Sequence, residues 1–196
     1  HYPLRRQRQM CIETGCIVKD NQGTLWLGTY FGGVNYFNPE YEIYSRYMYS
    51  PIEKKGLSNP VVGRTIEDKD GNLWIGTEGG GLNYYNRRTR EFKWFRPEIG
   101  PNSISHNNIK ALYYDASKDI IWIGTHLGGL NRLDIRSGQF THYRMEAGNP
   151  ETLPSDIIRD IAPYQDHLVI ATQNGICLFD PANGKCQQLL LLYTSD

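Results

Sequence analysis

Asp68-Lys69-Asp70-Gly71-Asn72-Leu73-Trp74-Ile75-Gly76-Thr77-Glu78-Gly79-Gly80-Gly81-Leu82-Asn83-Tyr84-Tyr85 is the stretch from which the fold can be read. Its centre, Leu73-Trp74-Ile75-Gly76-Thr77, returns as Leu25-Trp26-Leu27-Gly28-Thr29 and as Ile121-Trp122-Ile123-Gly124-Thr125. A weaker copy is Leu168-Val169-Ile170-Ala171-Thr172. The aligned positions 26, 74, 122 and 169 are 48, 48 and 47 residues apart. A fixed period of this length marks a stacked repeat architecture.

Working outward, other features keep the same phase. A glycine turn follows each Thr: Gly32-Gly33, Gly79-Gly80-Gly81, Gly128-Gly129 and Gly175. A short apolar segment follows each turn, then a polar turn such as Asn86-Arg87-Arg88-Thr89, then a last strand such as Glu91 to Phe95. Ahead of each Trp position lies another strand, and Gln22-Gly23 or Asp70-Gly71 makes the connecting hairpin. In three copies a Ser-containing turn leads in: Leu57-Ser58-Asn59-Pro60, Ile104-Ser105-His106-Asn107 and Leu153-Pro154-Ser155-Asp156. Each unit therefore reads as four antiparallel strands, and no segment has a helical period.

In the Trp strand, Leu73 and Ile75 point one way and Trp74 the other. Apolar residues on both faces imply a sheet covered on both sides. A radial stack of such sheets is a β-propeller, in which each blade covers the next. The expected fold is all-β: one propeller segment, 1–196, with blades about 9–49, 57–96, 104–144 and 153–192. Propellers more often have six to eight blades, so four read as an open arc of a larger ring, with a self-closed four-blade ring or completion by an oligomer as the alternatives. The basic start, His1 to Arg8, lacks the apolar stretch of a signal peptide. Together with the terminal Leu189 to Leu192, it reads as the ends of a segment cut from a longer chain.

Charge is balanced at 21 basic against 21 acidic residues, so no general pull on nucleic acid or an anionic membrane is expected. No apolar run is long enough to span a membrane. The four cysteines, Cys11, Cys16, Cys177 and Cys186, have no zinc spacing and are read as buried or free thiols; Cys177 and Cys186 flank a hairpin and could lie close. Asp68-x-Asp70-Gly71-Asn72 resembles a calcium loop only faintly, and hairpin chemistry explains it. No metal or other cofactor is expected, and no catalytic set stands out, so no enzymatic activity is expected of this chain.

The stretch from Asp68 to Tyr85 closely resembles the two-component regulator propeller repeat, and 20–37 and 115–133 match it well. Residues 160–179 depart from it, with Val169 for Trp and Ala171 for Gly. The resemblance implies the periplasmic sensor region of a Bacteroides-type hybrid two-component histidine kinase, built from seven-bladed propellers. It implies that oligosaccharides from polysaccharide breakdown are sensed, and that the kinase, receiver and DNA-binding parts lie elsewhere in the parent chain. The partners it implies are an oligosaccharide, the remaining blades and a second copy of the sensor. A non-catalytic interaction or dimerisation scaffold is the alternative, and an enzymatic propeller a third.

Trp26, Trp74 and Trp122 are read as packing between blades. Recognition is instead placed on the loops after each Gly-Thr, where residues vary on a common rim: Tyr30, Phe31, Glu78, His126, Gln173 and Asn174. Arg64, Lys110 and Arg159 fall near one repeat position in the first strand and are candidate lining of the central channel.

Overall fold

The computed structural model describes residues 14–38, 43–53 and 55–189. The expectations for Cys11, the basic start and Leu190 to Leu192 fall outside them. The described chain holds sixteen strands and no helix. The first blade is β1 (Thr14–Lys19), β2 (Leu25–Thr29), β3 (Gly33–Asn38) and β4 (Ile43–Tyr47). The second is β5 (Val62–Glu67), β6 (Leu73–Thr77), β7 (Leu82–Asn86) and β8 (Glu91–Phe95). The third is β9 (Ile109–Asp115), β10 (Ile120–Thr125), β11 (Leu130–Asp134) and β12 (Gln139–Tyr143). The fourth is β13 (Ile158–Tyr164), β14 (His167–Thr172), β15 (Gly175–Phe179) and β16 (Cys186–Leu189). Each blade is a four-stranded antiparallel meander in sequence order.

The core is divided among the seams between blades. Trp26 and Val34 of the first blade meet Val62, Leu73, Ile75 and Tyr85 of the second. Trp74 and Leu82 meet Ile109, Ile121, Ile123 and Leu133 of the third. Trp122 and Leu130 meet Ile158, Ile161, Ile170, Cys177 and Phe179 of the fourth. This is why the Trp strands are apolar on both faces: β6 and β10 are each sandwiched between two neighbours, and both are buried throughout.

The strands β1, β5, β9 and β13 pack on one another in that order, and no comparable packing joins β13 to β1 among the described residues. The chain is a partial propeller, an arc with these four strands innermost.

Two backbone devices set the spacing. A Cβ at Gly76 would stand 2.6 Å from Cγ2 of Ile109 in the next blade, and one at Gly124 would stand 2.5 Å from Cγ2 of Ile158. The missing side chain lets the innermost strands approach. Gly81 has φ 79° and lies beneath the Phe95 carbonyl, 2.2 Å from where a Cβ would be. Its amide donates to the Asn107 carbonyl at 2.7 Å, just ahead of the third blade. Gly129 repeats this to Asp156 at 2.9 Å and Gly33 to Pro60 at 3.4 Å. Each glycine turn thus grips the lead-in of the following blade.

Candidate functional site: the rim, the inner wall and the first crevice

The connections after β2, β6, β10 and β14 form the rim. In all four blades the closing Thr hydroxyl donates to the carbonyl of the turn glycine, at 2.9 Å from Thr29, 2.8 Å from Thr77, 2.9 Å from Thr125 and 2.8 Å from Thr172. The following amide is also held: Glu78 N–H donates to Val61, His126 to Asn108 and Gln173 to Ile157, at 2.9, 3.0 and 2.9 Å. These positions are variable in side chain and uniform in backbone, which suits a scaffolded recognition surface.

Each rim side chain has its own neighbours. Tyr30 and Phe31 contact edge to face, ring centroids 4.7 Å apart, and both are exposed. Glu78 pairs with Lys110 of the next blade at 2.6 Å. His126 lies 6.3 Å from His106, ring to ring, with its Nδ1 buried and unpartnered. Burial and the neighbouring His126 hold His106 below the usual histidine range. Gln173 accepts from Arg159 at 3.2 Å. Asn174 lies beside a separate hollow lined by Met145 to Pro150.

Lys110 and Arg159 share a structural reason for their common repeat position. The ladder skips both, as it skips Gly15 and Gly63 in β1 and β5, so each innermost strand carries a bulge there. A bulge re-aims its side chain. Lys110 and Arg159 turn back to Glu78 and Gln173, and Arg64 reaches Asp160 at 3.7 Å. The inner wall is thus a chain of ion pairs and charge-assisted bonds. Such partly exposed pairs contribute little to stability.

Trp26, Trp74 and Trp122 are packing residues, all three buried. Asp68 does what a hairpin carboxylate does: Oδ1 accepts from Asp70 and Asn72 amides at 3.0 and 2.9 Å, and Oδ2 from the Trp74 indole at 3.0 Å. Asp20 does the same for Gln22, Thr24 and Trp26. Burial pushes the Asp20 carboxyl up, but the Trp26 indole, the two amides and Arg87 outweigh it and hold the group below its ordinary value. Cys177 and Cys186 are buried with sulfurs 3.4 Å apart. The Cys177 thiol donates to Cys186, and this bond together with burial pushes its pKa up.

Two structural features were not legible in the sequence. One is a buried amide lock: Asn83 accepts from the Ser58 amide and donates to its hydroxyl, both at 2.8 Å, and Asn131 does likewise with Ser105 at 2.8 and 2.7 Å. The common phase of Asn83 and Asn131 was its signal. The other is a cavity of about 730 Å³ where the first and second blades meet, on the hairpin face opposite the rim. Asp20, Trp26, Tyr36, Tyr47, Tyr85, Arg87 and Arg90 line it.

The comparisons with known proteins fit this geometry. The family model of the two-component regulator propeller matches residues 11–31 and 56–79. The matched stretches include the first two strands of the first blade and the first two of the second. No curated protein sequence matches the chain. Among solved structures, the extracellular domain of a hybrid two-component system of B. thetaiotaomicron superposes with a TM-score of 0.78 at 24% identity. The match covers 91% of this chain and 25% of that one, so the chain spans about a quarter of the length of that domain. PorZ, an essential surface component of the type-IX secretion system of Porphyromonas gingivalis, is similar at TM-score 0.66 and 20% identity, covering 90% and 27%. Virginiamycin B lyase of Staphylococcus aureus is similar at TM-score 0.68 and 13% identity, covering 94% and 58%. At these identities the shared property is the fold. Among the described residues no helix is long and apolar enough to cross a membrane.

Proposed function

We propose that this chain is a ligand-sensing segment of the periplasmic part of a hybrid two-component sensor histidine kinase and response regulator, and that it senses oligosaccharides to control polysaccharide utilisation. The observation that carries the reading is the regulator-propeller repeat in two blades, on a fold shared with the extracellular domain of a hybrid two-component system. Blades of this kind make a rigid platform, and a ligand acts by favouring one arrangement of paired sensor domains over another. The catalytic parts are assigned to the rest of the parent protein, and no catalytic role to this chain. Titration calorimetry of the intact protein against a broad oligosaccharide panel tests the reading. Saturable heat with one glycan class supports it, and no heat with any member contradicts it.

One observation favours a second reading, an interaction scaffold. Phe31 and Leu127 occupy the same rim position, both exposed and both held at positive φ, 83° and 79°. Glycine fills that position in the second blade, Gly79 at φ 106°. Strained apolar residues kept in solvent suit a contact surface. Sedimentation and calorimetry of the intact protein with Phe31→Gly and Leu127→Gly distinguish the two readings: the scaffold predicts lost association with no oligosaccharide binding to lose, and the sensor predicts saturable oligosaccharide binding in the parent.

A further inference from the structure

The first two seams end on the hairpin face in crevices that are equivalent position by position. Asp20, Trp26 and Tyr36 in the first correspond to Asp68, Trp74 and Tyr84 in the second. The frame is therefore the same. The filling is not. Where the second crevice has Phe95, Leu133, Ile135 and Gly138, the first has Tyr47, Tyr85, Arg87 and Arg90. The second encloses about 260 Å³, with Phe95, Leu133 and Ile135 beside Asp70, Asn72 and Lys93, while the first encloses about 730 Å³. Each of these four replacements adds a polar head to a position that the second crevice fills with hydrocarbon or leaves to glycine.

The polar heads are organised. The Arg87 guanidinium lies 5.0 Å over the Trp26 ring, pairs with Asp20 at 2.7 Å and with Glu67 at 3.4 Å, and keeps a buried Nε with no partner. Tyr47 and Tyr85 share a hydrogen bond at 2.5 Å between their hydroxyls. Arg90 sits at φ 60°, where its counterpart Gly138 has φ 70°, so an arginine is held in a conformation that glycine adopts without strain. Aromatic rings bearing polar edges, beside a guanidinium and a carboxylate, match the alternating apolar faces and hydroxyls of a sugar. The volume lies within the usual range of small-ligand sites. Charge selects further. Asp20 is consumed by Trp26, two backbone amides and Arg87, whereas Arg90 lines the cavity as an exposed cation, and so does Arg46, whose Nε donates to the Gly32 carbonyl at 2.9 Å.

We propose that the crevice between the first and second blades is a subsite for an acidic sugar unit, carrying a carboxylate or a sulfate, within an oligosaccharide. This rests on the reading of the protein as an oligosaccharide sensor and assigns recognition to the hairpin face rather than the rim.

The experiment is titration calorimetry of the intact protein with size-matched neutral, uronic-acid and sulfated oligosaccharides, repeated with two variants that copy the second crevice. Arg90→Gly replaces a strained arginine by the residue its counterpart uses, so the fold is expected to be kept. Tyr85→Leu/Arg87→Ile removes the remaining polar heads of the second blade. The inference predicts binding of a uronic-acid or sulfated oligosaccharide, weakened about tenfold by Arg90→Gly and more by the double variant. The uronic-acid and sulfated arms tell which anion is taken. An acidic oligosaccharide that binds both variants as tightly as the parent overturns the inference and leaves the sensor reading standing. Binding confined to neutral oligosaccharides does the same. Absence of binding to every arm overturns both.

Discussion

The second and fourth blades share one strand order and are held by different means. In the second, the Trp74 indole is anchored to Asp68, Asn83 locks the Ser58 turn, Gly76 admits Ile109, and Gly81 turns beneath Phe95 to grip Asn107. In the fourth, Val169 stands for the Trp, Cys177 for the Asn and Ala171 for the inner glycine, and the turn from Thr172 to Gly175 is one residue shorter. Ser155, without an Asn partner, accepts instead from the Ile157 amide at 3.1 Å. Cys177 packs on Cys186 where the amide lock would be. What survives in both is the bond from the Thr hydroxyl to the turn glycine, the bond of the next amide to the chain ahead of the innermost strand, and the bulge in that strand. The lesson is that the minimal blade needs the strand order and these shared backbone features. The other repeat residues tie a blade to its neighbours and lead-in.

Substitutions made in pairs break or sharpen this contrast. The largest expected difference is at the glycine turn. Gly81→Ala forces a side chain into positive φ and against the Phe95 carbonyl, costing about 3 kcal/mol by denaturant unfolding. Gly175→Ala, at φ 131° with open space around it, costs about 1 kcal/mol. Next is the amide lock. Asn83→Ala strands the buried Ser58 amide and costs about 2 kcal/mol, while Cys177→Ala removes only a packed sulfur and costs about 1 kcal/mol. Smaller again is the inner approach: Gly76→Ala costs about 1–2 kcal/mol through Ile109, and Ala171→Gly about 0.5–1 kcal/mol through chain entropy alone. Equal costs within any pair would remove the distinction between the blades at that point.

The smallest effect is one of pH. The Asp20 carboxyl is held below its ordinary value, so it adds stability above the unfolded-state pKa, roughly pH 4. That contribution is lost as pH falls through the depressed folded-state value. Melting temperature followed from pH 6 to pH 3 is expected to fall less steeply in Asp20→Asn than in the parent.

The fold was legible because a 48-residue phase brings every Trp, Gly-Thr and glycine turn into register, and period-two apolarity on both faces of a strand has one common cause. The site was less so. The rim positions were found from their variation, but the pairing of Glu78 with Lys110 and of Gln173 with Arg159 depends on a bulge that one residue of the innermost strand produces. The sequence showed Gly81 but not Asn107, because the bond crosses a seam. The first crevice escaped notice for the same reason. Its walls come from two blades, and Tyr47, Tyr85, Arg87 and Arg90 become informative only when set against Phe95, Leu133, Ile135 and Gly138 one repeat later.

The glycine turns of the first three blades grip the lead-in of the blade that follows. Amide-resolved hydrogen exchange tests it most directly. The Gly81 and Gly129 amides, bonded across the seams to Asn107 and Asp156, are expected to exchange as slowly as the strand amides of β6 and β10. Exchange of both at the rate of an unprotected loop amide would contradict the account.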